Sequence, residues 1–380
     1  MQRRINPFAS AGHKLDENAF EAMVKAHESF VTGRGGGSRI LPRFVIAQNY
    51  RCDRRRLSDA DFTGADLSGT TFIGTDLRRA SLYCARLQRC DLRGARLDRA
   101  DIRGAIMSGA NLTGAVLDEA DMRAATLCVA DDVKGLRVVG GAAFRDARMD
   151  RVNLEDAKAQ AVDFTGASLK GVRLRNANLK HAIFVDANLA DADLTGARVE
   201  GVSLQGAILT GIDVGALRLP PSALAGCVLD PSAAARAKLP MLHAILDKAE
   251  AWILSNGLNG APARLDGHDL RPLGEAFKGQ SLPGMTARGS MGVGVNFAGA
   301  ELVGGCFDDA DLRGANFQGA DLRGASFRRA KLSHAAFADA DLGAMPLKDG
   351  RRRSVNLEDA ILTGTGLTYS KRAPALTLEL

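Results

Sequence analysis

The chain of 380 residues carries 50 Lys and Arg against 44 Asp and Glu, with 42 glycines, one Trp and only 5% aromatic residues. Leu and Ala supply most of its apolar content, which argues against one large globular core and for thin repeated layers. The most apolar stretch, "MLHAILDKAEAWIL", is charged throughout, so no membrane span is expected.

Residues 1–50 read as an N-terminal segment. Residues 1–51 hold eight cations against four acids, so most of the net charge of +6 lies here. A capping helix is expected at about 16–32, with Asp16 as N-cap and Phe20, Met23, Val24, His27, Phe30 and Val31 on one face. "GRGGG" at 33–37 follows that helix instead of opening one, which suits a C-cap and link better than a phosphate cradle.

Residues 51–215 form a first repeat array. From Leu57 an apolar centre returns every five residues to Leu127, fifteen times without exception. A second run from Phe144 to Val214 fails only at Ala159. Val133 and Val138 are taken as degenerate centres, so that region 128–143 becomes a bulged part of one continuous solenoid.

A small residue lies two places before most centres, and the other three positions are filled by residues that tolerate water, turns or positive φ. Each five-residue unit is therefore a short extended step followed by a corner, and four steps return the chain above its start. Such coils would stack at the ~4.8 Å spacing of paired strands.

Residues 216–262 read as a helical connector. Pro220-Pro221 ends the second run, and "DPSAAARAKLP" predicts a short helix with Asp230 as its cap and Pro231 at its first position. "LPMLHAILDKAEAWILSNG" repeats the first helical pattern 222 residues on, aligning Phe20 with Leu242, Met23 with Ile245 and Val24 with Leu246. The chain thus reads as two modules, each a capping α-helix followed by a solenoid, the helix covering open strand edges.

Residues 263–370 form the second solenoid. Leu265 and Leu270 suggest an irregular opening coil, and the Gly- and Pro-rich part that follows, up to 296, reads as a loop. A third run then extends from Phe297 to Leu347, is interrupted by the outside loop "KDGRRRSV", and resumes at Leu357, Leu362 and Leu367. The tail 371–380 contains "APALTLEL", which could add a strand to a coil end or pair across a homodimer.

Units such as "ADFTG", "ADLSG", "CDLRG", "ANLTG" and "ANFQG" resemble the A-(D/N)-L-x-x signature of pentapeptide-repeat proteins over most of 57–214 and 297–367. That resemblance implies a mainly β fold, a right-handed quadrilateral parallel β-helix.

The six cysteines form no C-x-x-C pair and the chain begins without an apolar signal segment, so reduced thiols and a cytoplasmic location are expected. The six histidines are scattered, and no P-loop, H-E-x-x-H or G-x-S-x-G motif occurs. No catalytic, cofactor-binding or metal residue is expected, and the protein reads as a non-enzyme.

One surface invites recognition: Arg78, Arg79, Arg89, Arg93, Arg96, Arg99, Arg103 and Arg123, with Asp76, Asp91, Asp98 and Asp101 interleaved. It is either a solvated charge ladder or a docking face for an acidic protein or another polyanion. The favoured function is a non-catalytic scaffold for protein–protein interaction. Quinolone-resistance members of the resembled family mimic DNA and engage a type II topoisomerase, but that requires acidic arrays. Here 52–127, 142–214 and 297–367 carry +1, −1 and −1. A third alternative is binding of nucleic acid or anionic lipid through the basic N-terminus and the arginines.

Overall fold

The computed structural model describes residues 13–130, 138–139, 141–347, 350–365, 367–369 and 376–378. Val133, most of the tail and the first twelve residues lie outside them. The chain divides into two compact units, 1–230 and 231–380.

In unit one, helix α1 (Glu17–Val31) is capped by Asp16, whose carboxylate accepts the Ala19 N–H at 3.1 Å. Phe20, Val24 and His27 are its buried face. Residues preceding the helix also take part: Leu15 N–H donates to the Ile46 carbonyl, and Ile46 N–H to that of His13. Residues 13–15 thus cover one strand edge of the first coil. Arg55 ties the helix down further, pairing with Glu21 at 2.9 Å and Glu28 at 2.8 Å.

Coils then stack with a period of twenty residues, as in the parallel pairs Asp61 with Ser81 and Ser81 with Asp101. Pairing is one residue per side, so little of the chain counts as extended strand. The residue before each centre pairs with the coils above and below, and the centre and the residue two before it point inward. Phe62, Leu67, Phe72, Leu77 and Leu82 are 0–1% exposed, and so are Ala65, Ala80 and Ala85. Each such centre contributes roughly 1.5–3 kcal/mol. Rings in line set the row height directly, with Phe164 over Phe184 at 5.0 Å.

The corner is a turn closed by a bond such as Ala65 N–H to Phe62 O, at 3.0 Å, with its third residue at positive φ, as in a type II turn. Gly64 takes φ 65° without penalty, whereas Arg79, Arg89 and Arg99 take φ of 56–58° at about 1–2 kcal/mol each. The repeat's Asp or Asn has a local duty here: Asp61 Oδ1 accepts the Thr63 N–H and Asn111 Oδ1 that of Thr113, both at 3.1 Å. Where that acid is missing, the coil below supplies it. Ile73, whose side has Thr71 in the acid's place, donates its N–H to Asp53, and Lys170, which follows Ser168, to Asp150.

Region 128–143 is not a pair of bulged coils. The chain leaves the solenoid after Leu127 as an antiparallel hairpin, β1 (Val129–Ala130) with β2 (Val138–Val139). It re-enters at Ala142, whose N–H donates to Leu127 O, and Asn111 pairs with Ala143. Val138 therefore lies in the hairpin and is not a centre. After the 3₁₀ turn Pro221–Leu224 the connector touches the solenoid once more, Val228 pairing with Ile208.

Unit two opens with α2 (Ala233–Ala237) and α3 (Leu239–Leu254). The cap of α2 is Ser232, not Asp230: Ser232 Oγ accepts Ala235 N–H at 3.1 Å, while Asp230 accepts Gly211 N–H at 3.0 Å. Leu242 and Ala249 on α3 are buried, the positions that align with Phe20 and His27. The first coil runs 22 residues, Arg264 to Thr286, because the 3₁₀ turn Arg271–Leu273 lengthens one corner.

The Gly- and Pro-rich part of 263–296 is regular coil, with Ser281, Thr286 and Met291 pairing to Glu301, Cys306 and Asp311. Its bulk has moved between the inward positions. Met285 and Ala287 exchange the usual small and large residues, and at Gly292 an added Cβ would lie 2.8 Å from Leu312 Cδ2. A ladder of rings follows, Phe297, Phe317 and Phe337, stacked at 5.0 and 5.1 Å.

Leu347 leaves the coil. It lies in the hairpin of β3 (Met345–Pro346) and β4 (Arg352–Arg353), whose Arg353 donates to the carbonyls of Gly324 and Gly304 at 2.7 and 2.8 Å. Coil pairing resumes with Ser326 to Asn356. The described part of the tail, β6 (Leu376–Leu378), folds back antiparallel on β5 (Leu367–Tyr369).

Candidate interaction surface

The pairing register sorts the outward residues of unit one onto four sides, numbered from those centred on Leu57, Phe62, Leu67 and Phe72. The eight arginines do not share a side. Arg78, Arg79, Arg96 and Arg99 flank the first, Arg103 and Arg123 the second, Arg89 the third and Arg93 the fourth.

Most of their charge is neutralised locally. Arg78 reaches back along its own step, its Nε and Nη2 donating to Asp76 at 2.8 and 2.6 Å. Arg93 with Asp91, Arg103 with Asp101 and Arg123 with Asp121 repeat that fork at 2.6–2.7 Å. Arg79 turns down a coil to Asp59, at 2.6 Å, and Arg99 turns up a coil to Glu119, at 2.7 Å. These neighbouring like charges thus point apart. Arg96 stands 3.6 Å from Asp98, and of the eight only Arg89 has no ion pair among the described residues.

The acids respond accordingly. Burial pushes the Asp76 carboxyl up, but the Arg78 guanidinium and backbone N–H, with the charge of Arg96, together hold it below the usual range. Arg93 and Arg79 do the same to Asp91 and Asp59. Asp118 moves the other way: burial raises it, with Asp150 adding to that and Arg148 opposing it. Among the described residues, one of these arginines meets an aromatic ring: Arg103 lies 5.2 Å above the ring of Tyr83.

A sequence signal for the neutralisation exists. Asp and Arg two apart, as in "DLR" and "DIR", place both groups beside one centre on the same side, where they meet. The sequence reading treated these arginines as one cluster and did not separate the paired from the free.

The balance of charge by side follows from the register. The first side has eight cations to eight acids, the second five to seven and the fourth four to five. On the third, Arg86, Arg89, Lys158, Lys180 and Arg198 face only Asp66 and Glu200. Of these, only Arg89 figures in the sequence-derived set.

The family model for pentapeptide repeats matches residues 56–94, 95–131, 140–176, 173–211 and 306–343. The chain belongs to the pentapeptide-repeat family. The right-handed β-helix is that family's fold, and the stacked coils of both units are this chain's version of it. Among solved structures it is similar to QnrB1, a plasmid-mediated fluoroquinolone resistance protein, at 18% identity over 52% of this chain and 87% of that one, with a TM-score of 0.30. HetL of Nostoc sp. strain PCC 7120, involved in heterocyst differentiation regulation, is 21% identical over 89% of this chain and 93% of its own, with a TM-score of 0.17. Rfr23 of Cyanothece 51142 is 18% identical over 42% and 85%, with a TM-score of 0.17. No curated protein sequence matches.

No helix among the described residues is long and apolar enough to cross a membrane.

Proposed function

We propose that this pentapeptide-repeat protein is a non-catalytic scaffold, binding a protein partner through a rigid side of its solenoid. The supporting observation is the row-by-row pairing of each side. The backbone that carries the outward side chains is held at fixed spacing by inter-coil bonds, as in Phe62 N–H to Ser81 O and Leu82 N–H to Asp101 O. A surface so ordered before contact loses little conformational entropy on binding. In this reading the chain is two helix-plus-solenoid modules of a cytoplasmic protein, with α1 and α3 as caps. DNA mimicry is disfavoured because none of the four sides of unit one has more than two surplus acids.

The test is affinity purification of the full chain from the cells that make it, followed by reconstitution with the purified candidate. A stoichiometric complex on size-exclusion chromatography is expected. Failure to recover any stoichiometric protein other than the chain itself would overturn the reading.

A further inference from the structure

We propose that the third side of unit one is the docking face, and that it takes an acidic protein surface. This rests on the scaffold reading and names the partner's chemistry. Among the described residues five cations against two acids give this side a surplus of three, whereas each other side is neutral or carries one or two surplus acids.

The surplus is available. Arg89, Lys158 and Arg198 are exposed and make no ion pair among the described residues. Arg86 has only a loose approach to Asp66, at 3.8 Å, and Lys180 one to Glu200, at 3.6 Å. Asp66 is already occupied by Ser68 and by Gln48, which donates to it at 2.7 Å.

Their arrangement is specific. Arg86 and Arg89 share one coil, and Lys158 begins a second group three coils higher, about 14 Å away at strand spacing. Uncharged Ile106 and Thr126 lie between. The chain leaves this side after Cys128 into the hairpin of β1 and β2, so a complementary partner carries two carboxylate groups at that separation on a surface recessed between them. Gln88 and Gln160 add side-chain amides to the same side. Nucleic acid fits less well: three surplus charges fall short of the roughly 6–10 phosphate contacts typical of duplex binding, and among the described residues no Phe, Tyr or Trp stands on this side to stack a base.

The test compares two triple variants of the full chain with equal change in net charge. One carries Arg89→Glu, Lys158→Glu and Arg198→Glu, all on the third side. The other carries Arg54→Glu, Arg56→Glu and Arg173→Glu, exposed cations on the other three sides that make no ion pair among the described residues. Fluorescein-labelled poly-L-glutamate is titrated at low salt by fluorescence anisotropy, and thermal melting confirms that both variants fold. The third-side variant is expected to lose about tenfold or more in affinity beyond the control variant. Equal losses in the two, or tighter binding of a 20-base-pair DNA duplex than of polyglutamate by the wild type, would overturn the proposal.

A photo-crosslinking amino acid at Gln88 or at Thr113, on the fourth side, separates this inference from the scaffold reading. A protein adduct from Gln88 alone supports both. One from Thr113 alone removes the docking face and leaves the scaffold. No adduct from either counts against the scaffold itself.

Discussion

His27 should make the attachment of α1 sensitive to pH. It is 0% exposed, and its two ring nitrogens hold two backbone groups. The Ile40 N–H donates to Nδ1 at 3.1 Å, so the ring proton must sit on Nε2, which donates to the Ser58 carbonyl at 2.9 Å. A second proton would put an N–H against the Ile40 N–H. Burial depresses the His27 pKa below its ordinary 6.5; the Ser58 bond and the acids Asp59 and Glu28 oppose this, and Arg39 adds to it.

The folded protein therefore binds this proton less readily than the unfolded chain does. The contribution is fully present above 6.5 and is lost as pH falls toward and through the depressed value. Each unit of depression is worth about 1.4 kcal/mol. Deleting the ring with His27→Ala strands both backbone partners at roughly 1–3 kcal/mol each, so about 2–6 kcal/mol in all is expected.

Hydrogen exchange at the Leu15 and Ile46 amides, which close the first coil, reports the loss. In wild type their protection, corrected for intrinsic rate, should hold above pH 6.5 and fall below it. His27→Gln offers an oxygen to Ile40 and an N–H to Ser58 without titrating, so its profile should be flat over that window. Identical profiles for wild type and His27→Gln would refute the reasoning. The paired acids, Asp59, Asp76 and Asp91, act in a separate window, with stability present above 3.8 and lost further down.

Further outcomes follow from packing and burial. Leu92→Ala, emptying a fully buried centre, should cost about 2–5 kcal/mol by chemical denaturation. Gly260→Ala should destabilise the end of α3 well beyond Gly94→Ala, because at φ 78° its Cβ would lie 2.1 Å from the Lys248 carbonyl oxygen, whereas at Gly94 the space is open. For Gly94→Ala only the strain of positive φ remains, about 1–2 kcal/mol. Burial drives the thiols of Cys52 and Cys90 up to about 12, so iodoacetamide at pH 7 should leave both unmodified after the half-buried Cys84 has reacted, as read by mass spectrometry.

The fold was legible because its period is written in one residue class: from Leu57 to Leu127 each centre is bulky and apolar. Reading failed where the two inward positions exchanged roles. Met285 with Ala287 fill the usual volume in the opposite order, Ser290 with Gly292 leave space that Leu312 of the next coil occupies, and a search for bulky centres passes over both. It failed again at the first hairpin, since Val138 satisfies apolarity without lying on a coil. The arginines were visible as residues, but their charge state was not. Arg78 is quenched by an acid two places away and Arg99 by one twenty places away, and only the coil register reveals the second.

The two hairpins show how little of the solenoid depends on chain continuity. Asn111 meets Ala143 thirty-two positions on, and Ser326 meets Asn356 thirty positions on, yet the next row begins in phase each time. The row below acts as a template that resets the count, whatever length of chain intervenes. A corner of this rod is therefore a graft point: a foreign loop or small domain inserted between Leu127 and Ala142 would be displayed at a fixed height, with the core on either side unaware of its length.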